Sequence, residues 1–144
     1  MRADVISHRF VEFVPAELLP ATLYVSMQYA TAVHSCCCGC GNRVVTPLSP
    51  AGWSLTFDGE AVSLAPSVGN GSFPCRSHYW IDRDRVEWLP TMSDYDSDRA
   101  RHRDRAAQVA LEESVEIGDR PSSNGPRGLV RRALRWIERL VFRK

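Results

Sequence analysis

The chain has 144 residues and a formal net charge of +1, and 44 % of its residues are hydrophobic. This length and apolar content suit one ordinary domain with its own core and leave no room for a second core of similar size. The near-neutral charge excludes a global attraction to nucleic acid or to anionic membranes, so any such attraction has to come from a local cluster.

From residue 8 to about residue 90, short apolar segments alternate with turn-forming residues, a pattern typical of a compact domain with several short strands. β-Branched and aromatic residues are enriched in six segments, and we predict a strand in each: 23–27, 43–46, 53–57, 61–64, 78–81 and 85–88. Asp58-Gly59 and Asp82-Arg-Asp84 are short turn signals that predict two hairpins. The predicted fold class is mostly β, a small α+β domain over residues 1–90.

After Pro90 the composition changes to Ser, Asp and Arg, which indicates the end of that domain. We predict a charged linker at 91–126, with a short helix within 99–115, and a basic amphipathic helix at 127–144. Arginines fill one face of this last helix, and its other face is apolar: Leu129, Ala133, Trp136, Ile137, Leu140 and Val141. Such a helix can dock on an acidic membrane surface or in a partner's groove, or pack on its own domain.

Cysteine is concentrated in one place, because four of the five cysteines fall within residues 36–40. The N-terminal residues lack the apolar run of a secretory signal, and no stretch is long enough to span a membrane, so we expect a cytoplasmic protein. In that reducing compartment, metal binding or nucleophilic chemistry is favoured over disulfides. Zn²⁺ prefers thiolate and imidazole ligands, and Gly39 and Gly41 allow the chain to turn beside them.

Seven side chains compete for the four positions of a zinc shell: Cys36, Cys37, Cys38, Cys40, Cys75, His34 and His78. Cys36, Cys38 and Cys40 point to the same side of an extended chain, and Cys75 is the only thiol outside residues 36–40. These four form the leading ligand set, a closed four-thiolate shell of the structural type, with Cys37 pointing away.

Other metal arrangements stay open at this point. One uses one or two cysteines together with His34 and His78, keeps a water on the metal, and needs a carboxylate base such as Glu12 or Glu17. Iron in a thiolate site is a second alternative to zinc. In the closed four-thiolate shell, by contrast, both histidines are free to act as bases or orienting groups.

Ser67, in the segment Ser63-Leu-Ala-Pro-Ser67-Val-Gly-Asn70, follows the end of a predicted strand. A nucleophilic serine typically sits on such a turn, with a histidine in reach and backbone amides that form an oxyanion hole. Ordinary turn chemistry is the alternative explanation. Because Cys75 and His78 follow closely, a metal could hold this serine and a histidine together.

A set of motifs occurs in one order along residues 23–81: Leu23-Tyr-Val-Ser26, Ala32-Val-His34, Cys36-x-Cys38-Gly-Cys40-Gly, Val45-Thr-Pro-Leu48, Trp53, Ser63-Leu, Pro66-Ser-Val-Gly-Asn70 and Cys75-Arg-Ser-His-Tyr-Trp-Ile81. In this combination the chain resembles a small bacterial family of cysteine- and histidine-rich proteins. That family is associated with gene neighbourhoods encoding ubiquitin-like proteins and their activating and conjugating enzymes. Its members are proposed to be peptidases that process or remove the modifier.

The resemblance covers about residues 8–90 and implies a zinc-containing hydrolase that acts on the bond after the modifier's C-terminus. The matching positions are His34, Cys36, Cys38, Cys40, Ser67, Cys75 and His78. We therefore predict a peptidase or isopeptidase with Ser67 and either His34 or His78 as catalytic residues. Its expected partners are a ubiquitin-like protein or the conjugating enzymes. Cys37 adds a thiol to the spacing that the family leads us to expect.

Two other functions remain to be compared with this prediction. A non-catalytic zinc module that binds a protein partner would use the basic helix at 127–144 for docking. Nucleic-acid binding through the arginine-rich tail is the weaker alternative, because residues 1–90 carry no basic stripe interleaved with aromatic residues.

Overall fold

The computed structural model describes residues 1–118, and the side chains of residues 1–115. Within this part of the chain, eight strands precede one helix. The strands are β1 (Ser7–Phe10), β2 (Thr22–Ser26), β3 (Thr31–Ser35), β4 (Arg43–Pro47), β5 (Ser54–Phe57), β6 (Val62–Gly69), β7 (His78–Asp82) and β8 (Arg85–Trp88), and the helix is α1 (Asp94–Gly118). The mostly β fold class is confirmed.

The strands form two four-stranded sheets that follow chain order. The first sheet has the order β1-β2-β3-β4, with β1 parallel to β2 and the other neighbours antiparallel. The second sheet has the order β5-β6-β7-β8 and is antiparallel throughout. The loop between β3 and β4 therefore carries the cysteine-rich segment, while β6 and β7 carry Ser67 and His78.

All six predicted strands are present, and two further strands were missed. β1 has the sequence Ser-His-Arg-Phe, which offers no apolar alternation, and it pairs with β2 only. Both predicted hairpins are confirmed by antiparallel pairing of β5 with β6 and of β7 with β8. The second turn is tight because Arg83 and Asp84 both have positive φ, 48° and 62°.

Both sheets contribute side chains to one hydrophobic core. Its members include Ile6, Leu23, Val25, Ala32, Val44, Val62, Leu64, Val68, Tyr79, Ile81 and Val86. Along β7, Tyr79 and Ile81 are buried, whereas His78, Trp80 and Asp82 point the other way. The outer face of the second sheet is therefore the place where β7 presents its polar side chains.

The chain divides into two compact units, Met1–Leu111 and Glu112–Lys144. The first unit contains both sheets, and in the second the structure describes only the last turns of α1. The basic amphipathic helix predicted at 127–144 lies outside the described residues, and the division predicted at residue 90 stays a prediction. Within residues 1–118, the helix is not long and apolar enough to cross a membrane.

Candidate active site and candidate metal centre

Ser67 and His78 lie side by side on neighbouring strands of the second sheet. The Ser67 Oγ is 2.9 Å from the His78 Nε2, and the His78 Nδ1 is 3.2 Å from the carbonyl oxygen of Pro90. A carbonyl oxygen can only accept, so Nδ1 carries the proton and Nε2 is left as the acceptor for the Ser67 hydroxyl. This arrangement allows the serine to lose its proton to the histidine as it attacks a substrate.

An irregularity in β6 brings the serine to this position. Leu64 pairs with Ile81 and Val68 with Tyr79, so three residues of β6 lie opposite the single residue Trp80 of β7. Such bulges turn side chains out of the regular alternation and also accommodate proline, which cannot donate to the ladder. The sequence pattern predicted an end of this strand at residue 64, whereas the structure continues it through Ser67 to residue 69.

Two cavities meet at Ser67. The first, of about 320 Å³, is lined by Trp53, Pro66, Ser67, Gly69, His78, Met92, Asp96, Arg99, Ala100, Arg103 and Asp104. The second, of about 560 Å³, is lined by Ser63, Leu64, Ala65, Pro66, Ser67, Trp80, Ile81, Asp82 and Glu87. A substrate that reaches the serine hydroxyl therefore has space on both sides of it.

The N-terminal part of α1 forms one wall of the first cavity, and Arg76 in the loop between β6 and β7 holds the beginning of this helix in place. The Arg76 Nε donates to the carbonyl oxygen of Met92 over 2.8 Å, and the Arg76 Nη2 donates to Asp94 over 2.6 Å. Ser93 caps the helix by accepting the backbone N–H of Asp96 over 3.1 Å. The helix residues that line this cavity were not predicted from the sequence, although Ser93-x-x-Asp96 resembles a capping box.

Four cysteine sulfurs form a cluster in the first unit. The Sγ atoms of Cys36, Cys38, Cys40 and Cys75 all lie within 4.8 Å of one another. The Cys36 and Cys38 sulfurs are 3.4 Å apart, and those of Cys40 and Cys75 are 3.7 Å apart. A tetrahedral shell with zinc–sulfur bonds of about 2.3 Å has sulfurs about 3.8 Å apart. The donor set therefore fits a metal ion bound by four thiolates.

This cluster contains the four cysteines of the leading predicted ligand set, but the chain reaches it differently. The segment is a turn and not an extended strand, since the Gly39 N–H donates to the Cys36 carbonyl over 2.9 Å. Gly39 has φ of +85°, in the left-handed region that glycine adopts without a steric penalty. This turn, and not the alternation of an extended chain, therefore brings Cys36, Cys38 and Cys40 together.

The cysteines differ in their readiness to ionise. Burial raises the pKa of Cys37 to about 12, and this side chain packs in the core outside the cluster. Desolvation also acts to raise the pKa of Cys40, but hydrogen bonds from the Asn42 amide and the neighbouring thiols outweigh it and lower this pKa to about 7. Because the thiolate is the form that binds metal, the exposed Cys40 is the clustered cysteine that is most easily ionised for such a role.

His34 is placed in the core and not beside Ser67. Its side chain is fully buried on β3, and its Nε2 is 2.8 Å from the Tyr79 hydroxyl. Burial lowers the pKa of His34 to about 4, so the ring is neutral at physiological pH. Among the described residues its Nδ1 has no hydrogen-bond partner. Of the two candidate bases, the structure therefore brings His78 to the serine.

With this geometry established, comparison with known proteins assigns the chain to a family. A profile of the family described as bacterial ubiquitination-like system serine protease (BubE) matches residues 10–89, which is more than half of the chain. The chain belongs to the BubE family. The resemblance predicted from the sequence motifs is thereby confirmed. No curated protein and no solved structure matches the chain.

The region matched by the BubE family contains Ser67, His78 and all four clustered cysteines, whereas α1 follows it. Buried polar groups link the two sites inside that region. The Ser77 hydroxyl is 3.1 Å from the Cys36 sulfur, and the Asn70 side-chain amide donates to the same hydroxyl over 2.9 Å. Ser77 directly precedes His78, so the cysteine cluster is tied to the strand that carries the histidine.

Proposed function

We propose that this member of the BubE family is a peptidase or isopeptidase that processes or removes a bacterial ubiquitin-like protein. It hydrolyses the bond after the modifier's C-terminus, with Ser67 as the nucleophile and His78 as the general base. The observation that carries this proposal is the 2.9 Å distance between the Ser67 Oγ and the His78 Nε2, with Nδ1 directed at the Pro90 carbonyl. The family's description as a serine protease supports it.

In the first half of the reaction, the Ser67 oxygen attacks the carbonyl carbon of the scissile bond while its proton passes to the His78 Nε2. The tetrahedral intermediate collapses when the carbon–nitrogen bond breaks and the imidazolium returns that proton to the departing amine. The modifier's C-terminal acyl group is then an ester on Ser67. For an isopeptide the departing amine is a lysine side chain, and for a precursor it is the N-terminus of the extension.

In the second half, a water molecule takes the place of the amine. His78 removes a proton from this water as it attacks the ester, and the second tetrahedral intermediate releases the modifier with a free carboxylate. The proton held on Nε2 returns to Ser67, which restores the starting state. Throughout, the Nδ1–H keeps its bond to the Pro90 carbonyl, which fixes the ring's orientation and tautomer.

The Pro90 carbonyl takes the place that a carboxylate has in a Ser-His-Asp triad. It orients the imidazole but carries no full charge to stabilise the imidazolium. Asp96 lines the same cavity as His78, and a hydrogen bond from the Ser93 hydroxyl lowers its pKa, so it stays ionised at neutral pH. We propose that this exposed carboxylate supplies the negative charge that faces the protonated ring.

We further propose that Cys36, Cys38, Cys40 and Cys75 hold Zn²⁺ as a structural ion. A closed shell of four thiolates clamps together the chain segments that supply it and leaves no position for a reactive water. The alternative metal shell that uses both histidines fits less well, because His34 is hydrogen-bonded to Tyr79 and His78 is hydrogen-bonded to Ser67. The clamp joins the loop between β3 and β4 to the segment that leads into β7.

The proposed partner is the ubiquitin-like protein itself, free as a precursor or attached to a target or conjugating enzyme. The competing function is a non-catalytic zinc module that binds a protein in the same kind of pathway. Such a module needs no serine that is hydrogen-bonded to a histidine where two open cavities meet. The Ser67–His78 pair therefore supports the enzymatic function.

The deciding experiment uses the purified full-length chain, with its metal content measured. It is incubated with a bacterial ubiquitin-like protein from its own gene neighbourhood that carries a C-terminal extension, and the products are read by intact mass. We expect cleavage at one site, loss of cleavage in Ser67→Ala, and full cleavage in the control Ser54→Ala, an exposed serine on β5. Undiminished cleavage by Ser67→Ala would overturn the serine mechanism. Stoichiometric zinc without any cleavage would favour the binding module.

A further inference from the structure

A tryptophan is exposed next to the proposed nucleophile. Trp80 is 45 % exposed on the outer face of β7, and it lines the larger of the two cavities together with Ser67. It stands two residues after His78 on the same face, about 7 Å along the strand. A large aromatic side chain left open to solvent in such a position is a ready contact surface for a ligand.

The two charged side chains that line the cavity beside this indole are both acidic. Glu87 of β8 is the direct cross-strand neighbour of Trp80, and Asp82 follows two residues later on β7. Both carboxylates line the cavity, and its lining contains no lysine or arginine. The cavity on the other side of Ser67 is different, since its lining includes Arg99 and Arg103.

An aromatic floor with carboxylates at its rim fits a lysine or arginine side chain. The aliphatic stem of such a residue packs on apolar surface, here Pro66, Ala65 and the indole. A cationic head over the ring is attracted by its π-electrons. Glu87 then accepts a charge-assisted hydrogen bond, because directly opposed residues have Cβ atoms only about 5 Å apart. Asp82 already accepts the Ser63 hydroxyl over 2.8 Å, which leaves Glu87 as the freer acceptor.

We infer that the cavity floored by Trp80 is a specificity subsite for a lysine or arginine side chain of the substrate, within two residues of the scissile bond. The inference rests on the proposed function, since it takes Ser67 as the point of cleavage. It names Trp80 as the platform and Glu87 as the residue that selects positive charge.

The test uses the full-length chain and a library of internally quenched peptides in which each position near the centre is varied. Cleavage sites are read by mass spectrometry, and a fluorophosphonate probe measures the reactivity of Ser67 independently. We expect cleavage to be about tenfold faster with Lys or Arg than with Gln at the subsite position. Glu87→Gln should reduce this preference to about twofold, and Glu60→Gln, in the turn between β5 and β6, should leave it unchanged.

The strongest readout is charge reversal in Glu87→Lys, which should move the preference to acidic side chains, because a merely structural role of Glu87 predicts no such switch. If the fluorophosphonate labels Ser67 but cleavage shows no preference for basic residues, the subsite is overturned and the serine nucleophile is kept. The same conclusion follows if Ser67 is labelled and no peptide is cleaved. Absence of both labelling and cleavage overturns the proposed function and the subsite together. Trp80→Ala should lower the cleavage of basic peptides while Ser67 labelling is retained.

Discussion

The hydroxyl oxygen of Ser77 lies 3.1 Å from the sulfur of Cys36. This contact joins the beginning of β7 to the cysteine cluster, and Asn70, just after the end of β6, donates to the same hydroxyl over 2.9 Å. Because Ser67 is on β6 and His78 on β7, one buried polar group holds the adjacent ends of the two strands that carry the proposed dyad. Any loosening of the cluster should therefore reach the proposed dyad through Ser77.

Replacing Ser77 by alanine tests this connection. The buried side-chain amide of Asn70 then loses an acceptor, which should lower the free energy of unfolding by about 1–3 kcal/mol. We also expect kcat to fall while the zinc content stays full, because the four sulfur ligands are retained. Urea unfolding, metal analysis and the modifier-cleavage assay measure the three quantities. The control is Ser72→Ala, an exposed serine in the same loop. An unchanged kcat in Ser77→Ala would show that the dyad is positioned without this link.

Two adjacent buried cysteines give a matched test of the proposed zinc shell. Cys36 and Cys37 are both 2 % exposed, but only Cys36 belongs to the four-sulfur cluster. We expect Cys36→Ser to lose zinc during gel filtration with a mild chelator, because one of four ligands is weakened. Cys37→Ser should keep a full equivalent of zinc and lose about 1–3 kcal/mol of stability, because a hydroxyl is buried in the core. Zinc loss from Cys37→Ser, with Cys36→Ser unaffected, would reverse the assignment.

The strands that sequence patterns predicted are rich in β-branched and aromatic residues, and of the two missed strands β1 has the weaker signal. β1 is a polar edge strand, exposed along most of its length. β3 carries the β-branched Thr31 and Val33 beside Ala32 and His34, and it is buried because it pairs on both sides, with β2 and β4. Pairing in the assembled sheet decides such short segments more than local propensity does.

For the candidate site, the sequence indicated which residue types take part better than it indicated where each side chain lies. Residue type made Cys36, Cys38, Cys40 and Cys75 the leading set among several that stayed open, and the structure brings their sulfurs together through a turn at Gly39. Sequence spacing left both histidines as candidates for the partner of Ser67. The choice depends on a bulge in β6 opposite Trp80, and a register shift leaves little trace in a single sequence.

The two histidines should respond differently to substitution. His78→Asn removes the proposed base and should lower kcat by about a thousandfold or more while the fold is kept. His34→Asn should affect stability and not turnover. It should lower the free energy of unfolding by about 1–3 kcal/mol, because the buried Tyr79 hydroxyl loses a hydrogen-bond partner. Its kcat should stay within a few-fold of the unmodified chain. Cleavage kinetics and urea unfolding on both variants separate the effects. Loss of turnover with unchanged stability in His34→Asn would make His34 the base.

A close approach between a glycine and α1 allows a test of how the helix wall shapes the first cavity. A Cβ added at Gly71 would lie 1.8 Å from the Oγ and 2.7 Å from the Cβ of the buried Ser97, so one of the two segments must move. We expect Gly71→Ala to lower stability by about 1–3 kcal/mol through overpacking. Displacement of Asp96 from its place near His78 should also lower kcat, and displacement of Arg99 from the cavity should raise the KM for the modifier.

The effect of this close approach is isolated by combining Gly71→Ala with Ser97→Gly, which removes the two Ser97 atoms that the new Cβ would approach too closely. Ser97→Gly alone should cost about 1 kcal/mol, the usual penalty for glycine inside a helix. In the double variant the overpacking is relieved. The free energy of unfolding that the double variant loses should therefore be smaller, by about 1 kcal/mol or more, than the sum of the losses in the two single variants. Urea unfolding of the four proteins gives this coupling energy. Simple additivity would mean that α1 does not rest on Gly71, and the KM of Gly71→Ala should then equal that of the unmodified chain.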